Sequence, residues 1–129
     1  MIELVELFSG VGAFSKALEN LELPHKTIAM CEIDKHAIKA YNALHGETPN
    51  LGDISDVEHL PKCNLLTYSF PCQDLSVAGH MNGMSRDSNT RSGLLWQVER
   101  LLLDAHLRQI LEPNEQHLPQ YLIRRTSMR

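Results

Sequence analysis

An α/β fold with a mostly parallel sheet and flanking helices is what the sequence predicts, on three observations. Strand-like and helix-like patterns alternate through the first 111 residues. The first apolar run ends in a glycine turn that opens a helical pattern. Successive apolar runs then end in polar residues suited to a ligand, as at the carboxyl edge of an open sheet. Alternating elements of this kind argue for βαβ units in a Rossmann-like layered arrangement.

Each element has its own signal. "IELVELF" is a short apolar strand candidate that ends in Ser9-Gly10-Val11-Gly12. Ala13, Phe14, Ala17, Leu18 and Leu21 follow at i, i+1, i+4, i+5 and i+8, the apolar stripe of an amphipathic helix. Pro24 closes that helix, and "KTIAMCEI" reads as a second strand. Asp34 is placed to cap the next helix, where Ala37, Ile38, Tyr41 and Leu44 repeat the helical spacing before Gly46. A polar connection follows, with a one-turn strand near Asn50-Leu51, and "CNLLTYSF" is the third full strand candidate. A loop rich in Gly, Ser, Asn and Asp leads into a long stripe of Leu94, Leu95, Val98, Leu101, Leu102 and Ala105. From Glu112 the rhythm stops. The end, "EPNEQHLPQYLIRRTSMR", has two prolines and one short apolar group, Tyr121-Leu122-Ile123, and reads as an irregular tail over 112–129.

Composition sets the class. The 129 residues fit one domain, and 43% hydrophobic with 22% charged residues is ordinary for a globular protein. No apolar run approaches the ~18 residues a membrane helix needs. Acidic residues at the N-terminus stand where a signal peptide carries basic ones, so the expected setting is the cytoplasm or the nucleoid. Three cysteines, at 31, 63 and 72, form neither a disulfide framework nor zinc-type C-x2-C pairs, so no metal is expected. The net charge of −4 argues against an autonomous DNA-binding domain.

Two places carry chemistry. Gly10 and Gly12 let the backbone turn tightly and let a ligand approach the helix N-terminus. Ser15 occupies the third small position of G-x-G-x-x-G, so the dinucleotide fingerprint is incomplete. Glu32, 20 residues after Gly12, stands where a carboxylate can accept both hydroxyls of a ribose. Asp53 suits an adenine amino group and Ile54 its ring face. Taken singly, the glycines make a turn, Glu32 is a solvated strand end and Asp53 caps a turn. Taken together they favour a nucleoside cofactor, without saying which.

The second place is Cys72. Pro71 fixes its own φ and holds Phe70 extended, so the strand stops and delivers the thiol to the same edge. Cys31 and Cys63 read instead as packed, inert thiols. A free thiol is only a few per cent ionised near neutrality, so a nucleophile here wants help from loop amides or a cation such as Arg86 or Arg91. A soft nucleophile beside a nucleoside cofactor suits addition to an electron-poor ring and alkylation of the adjacent carbon.

The stretches "LFSGVGAF", "CEIDKHAIKAYNALHGE", "GDISDV", "SFPCQDLSVAG" and "TRSGLLWQVERLL" resemble, in order and spacing, the first five motifs of the DNA (cytosine-5) methyltransferases. The resemblance runs from residue 3 to 107. It implies an S-adenosylmethionine-dependent methyltransferase fold, present in its N-terminal part over 1–111. It implies S-adenosyl-L-methionine held by Phe14 and the turn of Gly10 and Gly12, with Glu32 on the ribose and Ile33, Asp53 and Ile54 around the adenine. Pro71 and Leu94 would line the cofactor and cytosine pocket. Cys72 would attack C6 of a cytosine flipped out of double-stranded DNA. Gln73, Ser76 and Arg91 would approach the DNA.

One departure stands out. The family places a strand ending in Glu-Asn-Val after the helix that starts near Leu94, and its glutamate engages cytosine. Here the only acids nearby are Glu112 and Glu115, and neither follows an apolar strand. The later motifs and the target recognition domain are missing as well. A split enzyme completed by a second polypeptide, a truncated remnant that binds only cofactor or partner, and a tRNA-acting relative all fit the resemblance. A nicotinamide-dependent dehydrogenase rests on the glycine turn and Glu32 alone.

Overall fold

The structure, a computed structural model, describes residues 1–69 and 92–124. Four strands form one parallel sheet in the order β2-β1-β3-β4, with β1 at Ile2–Leu7, β2 at His25–Cys31, β3 at Leu65–Tyr68 and β4 at Tyr121–Arg124. Three helices alternate with them: α1 at Ala13–Asn20, α2 at Lys35–His45 and α3 at Leu95–Leu111. The chain moves from β1 outward to β2, then returns past β1 to β3. This reversal puts a topological switch point between β1 and β3, the place where open α/β sheets bind ligands.

Alternation along β1 separates the two faces of the sheet. Val5 and Leu7 face α3 and pack with Cys31, Ile54, Val57, Cys63, Leu66, Val98 and Leu101. Leu4 and Glu6 point the other way, toward Ser15 of α1 and Tyr41 of α2, and all four residues are buried. Asp34 caps α2 by accepting the His36 N–H at 3.0 Å, and Gly46 ends it at φ 82°. The expected one-turn strand is an isolated parallel bridge between Met30 and Asn50.

The tail departs from expectation. Tyr121–Arg124 pairs in parallel with β3, with Leu66 opposite Leu122 and Tyr68 opposite Arg124. Three apolar residues are too short a pattern to announce a strand. What makes them one is the open edge of β3, a partner more than fifty positions away. As an edge strand, β4 leaves Tyr121 67% and Leu122 50% exposed. On α3, Leu103, Leu107, Ile110 and Leu111 are exposed too. Among the described residues, no helix is long and apolar enough to cross a membrane.

Candidate functional site

The glycine turn joins β1 to α1 at the carboxyl edge of the sheet. Gly12 is the N-cap of α1 at φ 85°, and a Cβ there would lie 2.5 Å from His45 Nε2 and 2.7 Å from Tyr41 Cε2. Only glycine fits both the backbone and the space. With no cap from Gly12 itself, α1 is capped from beneath: Glu6 Oε1 accepts the Ser15 N–H at 2.6 Å. Ser15 Oγ lies 3.0 Å from Thr27 Oγ1 and 3.2 Å from the Tyr41 hydroxyl. The third small position of the glycine pattern is thus buried and polar because Glu6, Thr27 and Tyr41 satisfy it. His45 Nε2 lies 3.0 Å from the Val11 carbonyl, where the ring nitrogen must carry the proton, and ties the end of α2 to the turn. Burial pushes the Glu6 carboxyl above its ordinary value, against the Ser15 hydrogen bonds that lower it. Glu6 Oε2 and Thr67 Oγ1, on residues in register, are among the buried side-chain atoms without a partner.

Glu32 follows β2 and is held by three amides. Its Oε1 accepts the Gly10 N–H at 2.8 Å; its Oε2 accepts the N–H groups of Ile33 and Asp34 at 3.0 and 3.1 Å. The carboxylate that the sequence singles out therefore also fastens the glycine turn to β2. Asp53 caps the 3-10 turn Ile54–Asp56, its Oδ1 accepting the Ser55 N–H at 2.9 Å. Arg100 of α3 donates to the Ile54 carbonyl at 3.1 Å and fixes that turn from below.

These residues meet. Glu32, Ile33, Asp53, Ile54 and Leu94 line one pocket with Phe8, Cys31 and Gly52. Its volume is about 40 Å³. The described residues thus form a shallow floor with an acidic rim and an apolar base. Phe14 is not in this lining; it is half-buried on the first turn of α1. Phe8, between β1 and the glycine turn, is in the lining. Its φ of 53° is left-handed, a conformation that costs a non-glycine residue roughly 1–2 kcal/mol. A bulky side chain between a strand and a glycine turn was the available signal.

Pro71, Cys72, Gln73, Ser76, Arg86 and Arg91 lie outside the described residues. What the structure does fix is the strand that leads to them: β3 ends at Tyr68 opposite Leu7, so the chain leaves β3 beside the glycine turn. Cys31 and Cys63 are buried. Burial pushes the Cys31 thiol up to about 12, with Glu32 and Asp53 adding to it, and the Cys63 thiol up to about 11. Glu112 ends α3 and Glu115 pairs with Lys62 at 3.7 Å, ahead of β3, at the amino edge of the sheet. Neither can face the pocket. The strand after the helix is present as β4, but Ile123 is followed by Arg124-Arg125 rather than Glu-Asn-Val.

Comparison with known proteins agrees with this architecture. The family model described as C-5 cytosine-specific DNA methylase matches residues 2–111. The orphan methyltransferase M.SPBetaI of Bacillus phage SPbeta is 47% identical over 87 residues, 64% of this chain and 20% of that protein. The type II methyltransferase M.BanI of Aneurinibacillus aneurinilyticus is 35% identical over 117 residues, 88% of this chain and 26% of that protein. The chain therefore spans only about a fifth to a quarter of these relatives. The crystal structure of the S. pombe Dnmt2 methyltransferase superposes with a TM-score of 0.65 at 22% identity, covering 99% of this chain and 34% of that one. That likeness is one of fold.

Proposed function

This chain belongs to the C-5 cytosine-specific DNA methylase family, and we propose that it supplies the cofactor-binding and nucleophile part of a DNA cytosine-5 methyltransferase. The observation that carries the reading is the convergence of Glu32, Ile33, Asp53, Ile54 and Leu94 on one pocket at the carboxyl edge, beside the strand leading to Pro71-Cys72. The donor set fits S-adenosyl-L-methionine: a carboxylate for ribose hydroxyls, a second for an adenine amino group, and Phe8, Ile33, Ile54 and Leu94 for the ring. Gly10, where an added Cβ would meet nothing, leaves room for the bound group, and Gly12 lets the turn pack closely on Tyr41 and His45. When bound, that group supplies an electrophilic methyl.

The chain's own contribution is the nucleophile. Cys72, as thiolate, adds to C6 of a flipped cytosine, and the electron pair released into the ring makes C5 the nucleophile. After C5 gains its methyl group it loses its proton, the C6–S bond breaks and the thiolate is restored. Pro71 shapes the pocket, and Gln73, Ser76 and Arg91 meet double-stranded DNA. The setting is the cytoplasm or nucleoid, and neither metal nor membrane enters the reaction.

Arg124 at the end of β4 favours a more specific reading. With arginine after Ile123 where the resemblance expects Glu-Asn-Val, the acid that would hold cytosine is supplied by a second polypeptide. Trapping on DNA containing 5-fluorocytosine tests both parts, because fluorine at C5 blocks the final elimination. We expect an adduct that is abolished by Cys72→Ser and forms only when a polypeptide carrying Glu-Asn-Val and a recognition region is added. An adduct from this chain alone would remove the need for the partner. No adduct in either case would overturn the catalytic reading.

A further inference from the structure

We infer that Asn50 is a positioning residue for the cofactor pocket, locking Glu32 to the Asp53–Ile54 turn so that ribose and adenine contacts form as one unit. The inference rests on the cofactor reading above and adds a residue that none of the motifs singled out. Asn50 Oδ1 accepts the Glu32 N–H at 3.2 Å and the Gly52 N–H at 2.9 Å, while its Nδ2 donates to the Glu32 carbonyl at 3.0 Å. One amide side chain thus brackets the backbone of Glu32 on both sides and reaches the residue before Asp53. The orientation of the amide is fixed by its partners, two donors meeting the oxygen and one acceptor meeting the nitrogen.

The backbone around it tightens the same joint. The Met30 N–H donates to the Pro49 carbonyl at 2.9 Å and the Leu51 N–H to the Met30 carbonyl at 2.8 Å. Cys31 Sγ donates to the Gly52 carbonyl at 2.9 Å. These contacts align β2 with the connection but leave the segment after Cys31 to be held. Glu32 lies beyond the last strand pair, Leu7 with Cys31; the Gly10 amide holds its carboxylate and Asn50 holds its backbone. Asn50 itself is exposed and is not in the pocket lining, so it acts through Glu32 and not on the ligand.

Acting through another residue has a thermodynamic signature: the two substitutions are not additive. The test is calorimetric titration of the full chain with S-adenosylhomocysteine, using wild type, Asn50→Ala, Asn50→Asp, Glu32→Ala and the Asn50→Ala/Glu32→Ala pair, each with its unfolding midpoint. Asn50→Ala should weaken binding about tenfold, since it removes all three exposed hydrogen bonds to Glu32 and Gly52. Asn50→Asp, which keeps both accepted bonds, should recover part of that loss. In the Glu32→Ala background, Asn50→Ala should cost less than about twofold. Equal weakening in both backgrounds, or weakening that follows the unfolding midpoint alone, would assign Asn50 a structural role only. Wild-type affinity in Asn50→Ala with Glu32→Ala impaired would overturn this inference and leave the cofactor reading standing. No binding by wild type would sink both.

Discussion

Replacing Gly12 by alanine should be far more damaging than replacing Gly10, although both glycines belong to one turn and both have positive φ, 85° and 56°. The left-handed backbone costs an alanine about 1–2 kcal/mol at either position. Space separates them. A Cβ on Gly10 meets nothing within 4 Å, whereas one on Gly12 lies 2.5 Å from His45 Nε2 and 2.7 Å from Tyr41 Cε2. His45 could swing aside at the loss of its contact with Val11. Tyr41 cannot, since it is fully buried and its hydroxyl lies within 3.2 Å of Ser15 Oγ. Overpacking against such a ring adds roughly 1–3 kcal/mol. Gly12→Ala should therefore lose about 2–5 kcal/mol, a large share of the ~5–15 kcal/mol that holds a small domain together. Urea unfolding followed by far-ultraviolet circular dichroism reads both variants. Gly10→Ala should shift the midpoint slightly and chiefly affect cofactor affinity. Midpoints for the two variants that agree within error would refute the packing argument.

Glu6 gives a pH dependence. Its carboxyl is raised by burial above 4.5, so the folded state binds the proton more tightly than the unfolded chain does. The associated stability is fully present below that ordinary value and is lost as pH rises through the folded value. The wild-type unfolding midpoint, measured relative to Glu6→Gln, should fall as pH rises from the ordinary value through the raised one and then level off; a difference independent of pH would contradict the burial argument. Iodoacetamide at pH 8 should leave Cys31 and Cys63 unmodified in the folded protein and modify both in denaturant, as peptide mass spectrometry would show. The edge strand should drive self-association, since it exposes Tyr121, Leu122 and Ile123 on a sheet edge that no further strand covers among the described residues. Leu122→Lys should lower the mass seen by light scattering at high concentration with little change in unfolding midpoint. A wild-type chain that stays monomeric there would count against that surface being sticky.

The elements of the first 111 residues were legible because each has a local cause. The stripe on α1, the Asp34 cap and Gly46 around α2, and the apolar core of β3 are properties of neighbouring residues, and they predict structure wherever the chain goes. Glu32, Asp53 and Ile54 were legible for a related reason: in a parallel sheet every strand ends at the same edge, so residues after successive strands converge. Their chemical type and the motif order around them also identify the family. Other features had no local cause. Tyr121–Arg124 becomes a strand only because β3 offers an open edge, and that strand places arginine where the resemblance leads one to expect an acid. Phe8 joins the pocket lining from a left-handed backbone position that no local pattern announces. Glu6 caps a helix nine residues away, and Asn50 reaches back eighteen positions to Glu32. Sequence alone determined which residues could do chemistry and roughly where the chain bends. Tertiary structure decided which of them touch, because hydrogen bonds and packing act over a few ångströms of space, whatever the distance along the chain.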